Sequence, residues 1–322
     1  DVIPTAIHIA DRIVAGQLLS ALEELERALS DKAGALARVI KIGRTHLQDA
    51  VPVTLGQEFS GYASQIRKGI RRLGSTLPHL EELALGGTAV GTGLNAHPKF
   101  GPGVIDRIAA LTKFPFRQAE NLFEALACRD AQAELMGALS VVAGSLLKIG
   151  NDLRLLSSGP RAGFGEIRLP SLQPGSSIMP GKVNPVIPEM VIQAAVYVKG
   201  KGASVGIAAA SAPLELNIMM PLIAYETLDS LSLMTNTARV LADRCIGGIE
   251  ADPQRCAEWV EWSLALVTPL ATRIGYDKAA EIAYRAFKEK KTVRQLLTET
   301  GLLGPDEIEE VLDPESMTGG GD

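Results

Sequence analysis

The stretch "AENLFEALACRDAQAELMGALSVVAGSLLKIGNDLRLL", residues 119–156, is the longest helical pattern in the chain and decides the fold. It contains no proline, and its apolar residues recur at helical spacing. A continuous helix of this length would measure roughly 55 Å, at about 1.5 Å per residue. Such a helix, apolar around much of its circumference, is hard to bury in one subunit. The stretch therefore predicts a helical bundle shared between subunits, in which Gly137, Ala138, Ala143 and Gly144 let neighbouring helices approach closely.

The rest of the 322-residue chain favours the same fold class. Aromatic residues make up only 4% of the chain while apolar residues reach 46%, a balance typical of helices packed on helices. Two interruptions rich in glycine or proline, at 43–56 and 86–103, separate the helical stretches, and we interpret both as loops. Further helices are predicted at these positions: 5–36, 58–75, 104–111, from Pro188 onward, and 215–245.

These patterns predict an all-α fold with two domains. A long central helical bundle domain is expected at 1–250. The sequence "GIEADPQRC" marks a boundary near Asp252, and a small C-terminal helical domain is expected at 251–322.

Charge and cysteine content exclude several classes of function. The net charge is −5, with both signs interspersed, so no nucleic-acid partner is expected. Cys128, Cys245 and Cys256 show neither metal-ligand spacing nor a disulfide framework, which favours the cytoplasm and predicts no metal site. No apolar run approaches the ~18 residues that span a bilayer, so no membrane partner is expected.

The segment "GSSIMPGKVNP", residues 175–185, has the composition of a ligand-binding loop. Its glycines free backbone N–H groups, Lys182 supplies a positive charge, and Ser176, Ser177 and Asn184 supply short polar groups. This combination suits a carboxylate or a phosphate. A plain surface turn is the alternative, but the loop also contains apolar residues suited to anchor it when it closes: Ile178, Met179 and Val183.

A second polar cluster lies in "GRTHLQDA", residues 43–50, where Thr45 and His46 stand beside Arg44 and Asp49. A lone histidine is more often structural than catalytic, but these neighbours set His46 apart from the other three histidines. The segment "GGTAVGTGLN", residues 86–95, lacks the Lys-Ser or Lys-Thr pair of a phosphate loop and follows no predicted strand, so we reject a nucleotide site there.

Together with "KIGRTHLQDAVPVTLGQEFSGY" (41–62) and "NDLRLLSSGPRAGFGEI" (151–167), these segments closely resemble the aspartase/fumarase superfamily, in the expected order over essentially the whole chain. The resemblance implies homotetramers on a shared helical bundle, with each active site assembled from several subunits. It also implies an anti β-elimination on a small dicarboxylate that yields fumarate through an aci-carboxylate. We expect no cofactor and no metal site, and the sequence leaves activation by a divalent metal open.

The resemblance assigns roles to four residues of the 175–185 loop. Ser176 would be the general base, and Ser177 with adjacent backbone N–H groups would cradle the aci-carboxylate. Lys182 would pair with a substrate carboxylate, and Asn184 would add a hydrogen bond. Because a serine is a poor base at neutral pH, Ser176 would need nearby positive charge to favour its alkoxide.

Three further residues receive roles in the same way. Thr45 and His46 would bind the other substrate carboxylate. Glu189, seven residues after Lys182, would orient His46, and the catalytic set implied by the resemblance is Ser176, His46 and Glu189.

The choice of substrate depends on the particular residues within the motifs. "PGKVNPVIPEM" and "SSGPRAG" are similar to aspartate ammonia-lyases, whereas "FEALACRDA" and "IGYDKAAEIA" resemble class II fumarases about as well. We interpret the chain as an aspartate ammonia-lyase, which releases ammonia from L-aspartate. The alternative is a class II fumarase, which releases water from malate.

The chain differs from the resembled superfamily at its beginning. Relatives carry an N-terminal domain and a Ser-Ser-Asn or Ser-Thr-Asn substrate-binding motif before the position of Asp1. We therefore expect a truncated form with weak or no turnover. The alternative from another class is a non-catalytic helical assembly protein.

Overall fold

The computed structural model describes residues 1–173, 175 and 178–319. This part of the chain is predominantly helical, which confirms the all-α prediction. The α-helices in it are α1 (Val2–Ala35), α2 (Leu55–Leu80), α3 (Phe100–Thr112), α4 (Leu122–Ala127), α5 (Asp130–Leu156), α6 (Val186–Ala209), α7 (Met220–Arg244), α8 (Pro253–Trp262), α9 (Val267–Ile274), α10 (Tyr276–Glu289), α11 (Val293–Thr300) and α12 (Pro305–Val311).

Short strands pair between the helices. They form these two-stranded ladders: β1 (Ile40–Thr45) antiparallel with β2 (Gln48–Thr54), β3 (Glu82–Leu83) parallel with β4 (Arg117–Gln118), and β5 (Ile167–Arg168) antiparallel with β6 (Glu250–Ala251).

The chain divides into two compact units, each built from three segments. The first comprises Asp1–Ala28, Tyr62–Asp152 and Leu172–Gly247, and the second comprises Leu29–Gly61, Leu153–Ser171 and Gly248–Asp322. The second unit thus combines the C-terminal helices with the β1–β2 hairpin. The sequence-based domains 1–250 and 251–322 stay a prediction.

Long helices form the core of the first unit. Leu18 and Leu22 of α1 and Leu139 and Leu146 of α5 are fully buried, because leucines four or seven residues apart share one helix face. α6 packs along α7. Close approach of helices occurs at Gly150 of α5, where a Cβ would lie 3.0 Å from Ile192 Cγ1, whereas nothing would lie within 4 Å of a Cβ at Gly137.

The second unit has its own apolar core. Ile42 of the β1–β2 hairpin belongs to this buried cluster together with residues of the C-terminal helices. The cluster includes these fully buried side chains: Leu270, Val293, Leu296, Leu297 and Leu312.

Two sequence predictions need correction. The stretch 119–156 is not one helix, because Cys128 adopts an extended backbone (φ −88°, ψ 150°) that ends α4 before α5 begins at Asp130. The 43–56 interruption is not a loop but most of a hairpin, in which β-branched residues such as Ile42 and Val53 support strands on either side of a tight turn. The first helix is confirmed by α1, and the last long helix begins at Met220 rather than at residue 215.

Candidate active site

Thr45 and His46 lie at the exposed tip of the β1–β2 hairpin. Thr45 pairs with Gln48, so His46 and Leu47 form a two-residue turn. Both have positive φ, 54° and 60°, in a turn that usually requires asparagine or glycine. The left-handed conformation costs non-glycine residues roughly 1–2 kcal/mol each. Strain of this kind persists at functional sites that the surrounding structure holds in place.

The pairing of β1 with β2 is irregular opposite Gly43. The pairing register shifts between Ile42 and Arg44, and a Cβ at Gly43 would lie 2.7 Å from the carbonyl oxygen of Val51. Ile42 pairs with Pro52 and Arg44 with Asp49, so the extra residue of this irregularity lies in β2. The side chains of Lys41 and Arg44, both on β1, reach one common partner.

That partner is Glu166, whose side chain is fully buried. Its Oε1 lies 2.8 Å from Arg44 NH1, and its Oε2 lies 3.3 Å from Lys41 Nζ. Lys41 is 1% exposed and also donates to Glu58 Oε1 at 2.8 Å. These buried charges are mutually paired, as buried ions must be. We refer to Lys41, Arg44, Glu58 and Glu166 as the hairpin ion network.

The segment that carries Glu166 is held by α8. Arg255 donates to the carbonyl oxygens of Arg161 and Gly163, and Trp259 Nε1 donates to that of Phe164 at 2.9 Å. The Phe164 ring in turn lies against Arg44, whose Cζ is 4.0 Å from the ring centroid. Arg44 is therefore fixed by an ion pair and by a cation–π contact.

Sequence reasoning did not single out Lys41, Glu58 or Glu166. Their ion pairs join positions far apart in the chain, and charged residues in a sequence are usually solvated. The available signal was the charge of Lys41 and Arg44 within an otherwise apolar strand.

Lys182, Asn184 and Glu189 lie at or near the beginning of α6, in the first unit. Lys182 is exposed, and its backbone N–H donates to the carbonyl oxygen of Met179 at 3.2 Å. The Asn184 carbonyl oxygen accepts from the Val186 N–H at 2.9 Å. Glu189 lies in the first turn of α6, where the helix dipole favours a carboxylate, and it lines a cleft of about 500 Å³ between α6 and α7.

Ser176 and Ser177 lie outside the described residues, and their assigned roles stay predictions. Thr45 and His46 belong to the second unit, and Lys182, Asn184 and Glu189 to the first. The orientation of His46 by Glu189 likewise stays a prediction.

A buried polar cluster in the first unit was not anticipated. His8 and Arg129 line a cavity of about 360 Å³, and Arg129 is 1% exposed. Burial, with Arg129 nearby, lowers the pKa of His8 to about 4. Asp11 is fully buried and accepts a hydrogen bond from Gln132 Nε2 at 3.2 Å, and burial raises the pKa of Asp11 to about 7. In the sequence, the only signal was the pair of polar residues Asp11 and Gln132 within helical stretches.

The described residues also bear on metal binding and on membrane insertion. Among residues 1–173, 175 and 178–319, no group of three or more His, Cys, Asp or Glu side chains is arranged to hold a metal ion. Two helices, α1 and α5, are long and apolar enough to cross a membrane by length and composition alone. The core helix of a soluble protein and a signal sequence pass the same test, so these two helices are weak evidence for a membrane span.

Comparison with known families and proteins adds to this geometry. Residues 1–200 match the family described as Lyase, and residues 266–319 match the one described as Fumarase C C-terminus. Fumarate hydratase class II of Thermosynechococcus vestitus is 49% identical over 320 residues, which cover 99% of this chain and 68% of that protein.

Solved structures give the same result. A crystal structure of class II fumarase from Schistosoma mansoni matches with a TM-score of 0.91 and 40% identity, over 98% of this chain and 69% of that one. A structure of fumarate lyase:delta crystallin from Brucella melitensis bound to cobalt matches with a TM-score of 0.94 and 44% identity, over 98% and 69%. The chain spans about two thirds of the length of these proteins.

The interpretation as an aspartate ammonia-lyase is wrong. Relatives that are about half identical over nearly the whole chain are fumarate hydratases of class II, the alternative that the sequence left open. The motifs misled because aspartate and malate share both carboxylates, so residues expected to bind carboxylates would not distinguish the two substrates. The residues around "GKVNP" are therefore weaker evidence for the substrate than identity over the whole chain. By its family match and its relatives, the chain belongs to the aspartase/fumarase superfamily of lyases.

Proposed function

We propose that this protein is a class II fumarate hydratase, which interconverts L-malate with fumarate and water. The observation that carries the proposal is the 49% identity over 320 residues to a fumarate hydratase of class II. Likeness of this kind over 99% of the chain is more specific than a likeness of fold, because one fold supports many reactions.

The central chemical difficulty is the weak acidity of the proton next to a carboxylate. Its removal creates a second negative charge on that carboxylate, so the site must offer donors and positive charge where this charge develops. In this proposal Lys182 and Asn184 bind one carboxylate of malate, and Thr45 and His46 bind the other. Ser176 removes the proton, and Ser177 donates to the developing aci-carboxylate.

The hairpin geometry supports the role of its tip. Thr45 and His46 are exposed, and the strained turn that carries them is fixed from below by the hairpin ion network. Because these two donors are already held in place, binding a carboxylate does not require their side chains to lose further conformational entropy. Glu189 orients His46, and the active sites are shared among the subunits of a homotetramer.

The test is an absorbance assay for fumarate, performed on the protein at its natural chain length. The intact mass of the protein from its source establishes that length. Separate incubations contain L-malate and L-aspartate, with Ser176→Ala as the matched control. We expect fumarate from L-malate only, and a loss of at least about 100-fold in kcat for Ser176→Ala, in the range typical of general-base removal. Fumarate from L-aspartate alone, or no product from either substrate, would overturn the proposal.

A further inference from the structure

The hairpin ion network has no role in the proposed reaction so far. It includes Arg44, the residue that precedes Thr45 and His46 at the hairpin tip. The guanidinium of Arg44 is only 11% exposed. Two partners fix it, the carboxylate of Glu166 at 2.8 Å and the ring of Phe164 at 4.0 Å. A displacement of Arg44 therefore displaces the peptide that carries Thr45.

Glu166 connects β1 to a rigid support. Each of its carboxylate oxygens meets a different cation of β1, and its backbone N–H and carbonyl oxygen are also bonded, to the Leu156 carbonyl and the Asp252 N–H, both at 2.9 Å. The preceding residues are held by Arg255 and Trp259 of α8. The segment that ends at Glu166 is thus held along its length, and the ion pairs of Glu166 restrain the hairpin in turn.

The burial of this arrangement indicates its role. The side chain of Glu166 is fully buried and that of Lys41 is 1% exposed, so both charges are held out of water. A buried ion pair adds little net stability, so geometric specificity is the better explanation for it.

We propose that Glu166 and Arg44 are positioning residues for the proposed fumarate hydratase reaction. They hold the His46–Leu47 turn in its left-handed conformation, so that Thr45 and His46 present a preformed carboxylate site. This proposal rests on the proposed function, and it predicts which kinetic constant changes. Because Thr45 and His46 bind a carboxylate in both substrate and transition state, loss of positioning raises KM more than it lowers kcat.

The experiment compares variants in steady-state kinetics of fumarate hydration. Arg44→Met removes the charge but leaves Glu166 paired with Lys41, so it is the variant that keeps the fold. We expect it to raise KM for fumarate about tenfold with kcat within about threefold of the wild type. Arg44→Lys, which retains the charge, should recover part of the loss. Glu166→Gln should resemble Arg44→Met, and the double variant should lose little more than either one, because coupled residues are not additive.

The matched control is Arg168→Gln. Arg168 lies two residues after Glu166 and pairs with Asp252 at 3.3 Å, but its side chain is 62% exposed, and we expect its KM to equal that of the wild type. Hydrogen–deuterium exchange of residues 40–54 gives a readout that needs no turnover. We expect faster exchange there in Arg44→Met and Glu166→Gln, and wild-type exchange in Arg168→Gln.

The two proposals fail in different ways. A wild-type protein that does not hydrate fumarate refutes the proposed function, and the exchange comparison then decides the positioning. With an active wild type the kinetics decide: an unchanged KM in Arg44→Met, or a fall in kcat alone, overturns the positioning proposal. In the inactive case, equal exchange of residues 40–54 in all variants overturns it.

Discussion

Asp11 and His8, on neighbouring turns of α1, have pKa values displaced in opposite directions by burial. The pKa of Asp11 rises from 3.8 to about 7, so the folded protein binds more protons than the unfolded chain between these values. This makes the protein less stable as pH rises through that window. The pKa of His8 falls from 6.5 to about 4, so its contribution to stability is lost as pH falls through that window. In the wild type the two effects oppose each other between about pH 4 and 6.5.

Asp11→Asn should separate the pH effect of Asp11 from that of His8. The variant removes the cost of the buried carboxylate, so we expect its free energy of unfolding, relative to the wild type, to be larger at pH 8 than at pH 4. The difference should be on the order of 2 to 4 kcal/mol, at about 1.4 kcal/mol per pKa unit. Urea unfolding at fixed protein concentration across this pH range measures it. Asp106→Asn, at an exposed position of α3, is the control, and a profile for Asp11→Asn parallel to that of the wild type would contradict the expectation.

At the scale of elements, the turn of the β1–β2 hairpin carries strain that can be measured. Leu47 has φ 60° and is 66% exposed, so Leu47→Gly removes a steric cost without removing a buried side chain. We expect the variant to unfold at higher urea concentration, with a gain of up to about 1 kcal/mol. Val51→Gly, at a 48% exposed position of β2, should instead lose stability, because glycine weakens a strand. A loss in both variants would show that the turn is not strained.

The two glycines at 56 and 61 in α2 provide a second comparison. A Cβ at Gly56 would lie 2.6 Å from both the Ala33 carbonyl oxygen and the Ala37 Cα, whereas nothing lies within 4 Å of a Cβ at Gly61. We expect Gly56→Ala to lower the free energy of unfolding by about 2 kcal/mol or more, because backbone cannot move aside cheaply. Gly61→Ala should raise it by roughly 0.5 to 1 kcal/mol through helix propensity. Chemical unfolding measures both, and equal effects would contradict the described packing.

The hairpin also shows where prediction from sequence ends. α1 and the later helices were predictable because their apolar residues repeat at helical spacing. The hairpin was missed because Gly43 and Pro52 suggest a loop, while its strands are specified by pairing across the turn. Thr45 and His46 were singled out by resemblance to a family, and their role stays a proposal. Glu166 could not be assigned a partner, because its ion pairs to Lys41 and Arg44 exist only once segments distant in sequence are folded together.

At the scale of the whole molecule, the apolar surface of α6 and α7 predicts assembly. Val196 is 57% exposed, Ile207 72% and Tyr225 64%, and such exposed side chains on neighbouring helices are typical of an interface. We expect a homotetramer, whose mass by sedimentation velocity is that of four copies of the 34.1 kDa chain. Ile207→Glu should shift the distribution to smaller species, because it buries an unpaired charge in the interface. Phe287→Glu, at a 75% exposed position of α10, should leave the tetramer intact. A wild-type monomer, or an Ile207→Glu tetramer of unchanged stability on dilution, would contradict assembly through this face and, with it, the sharing of active sites between subunits.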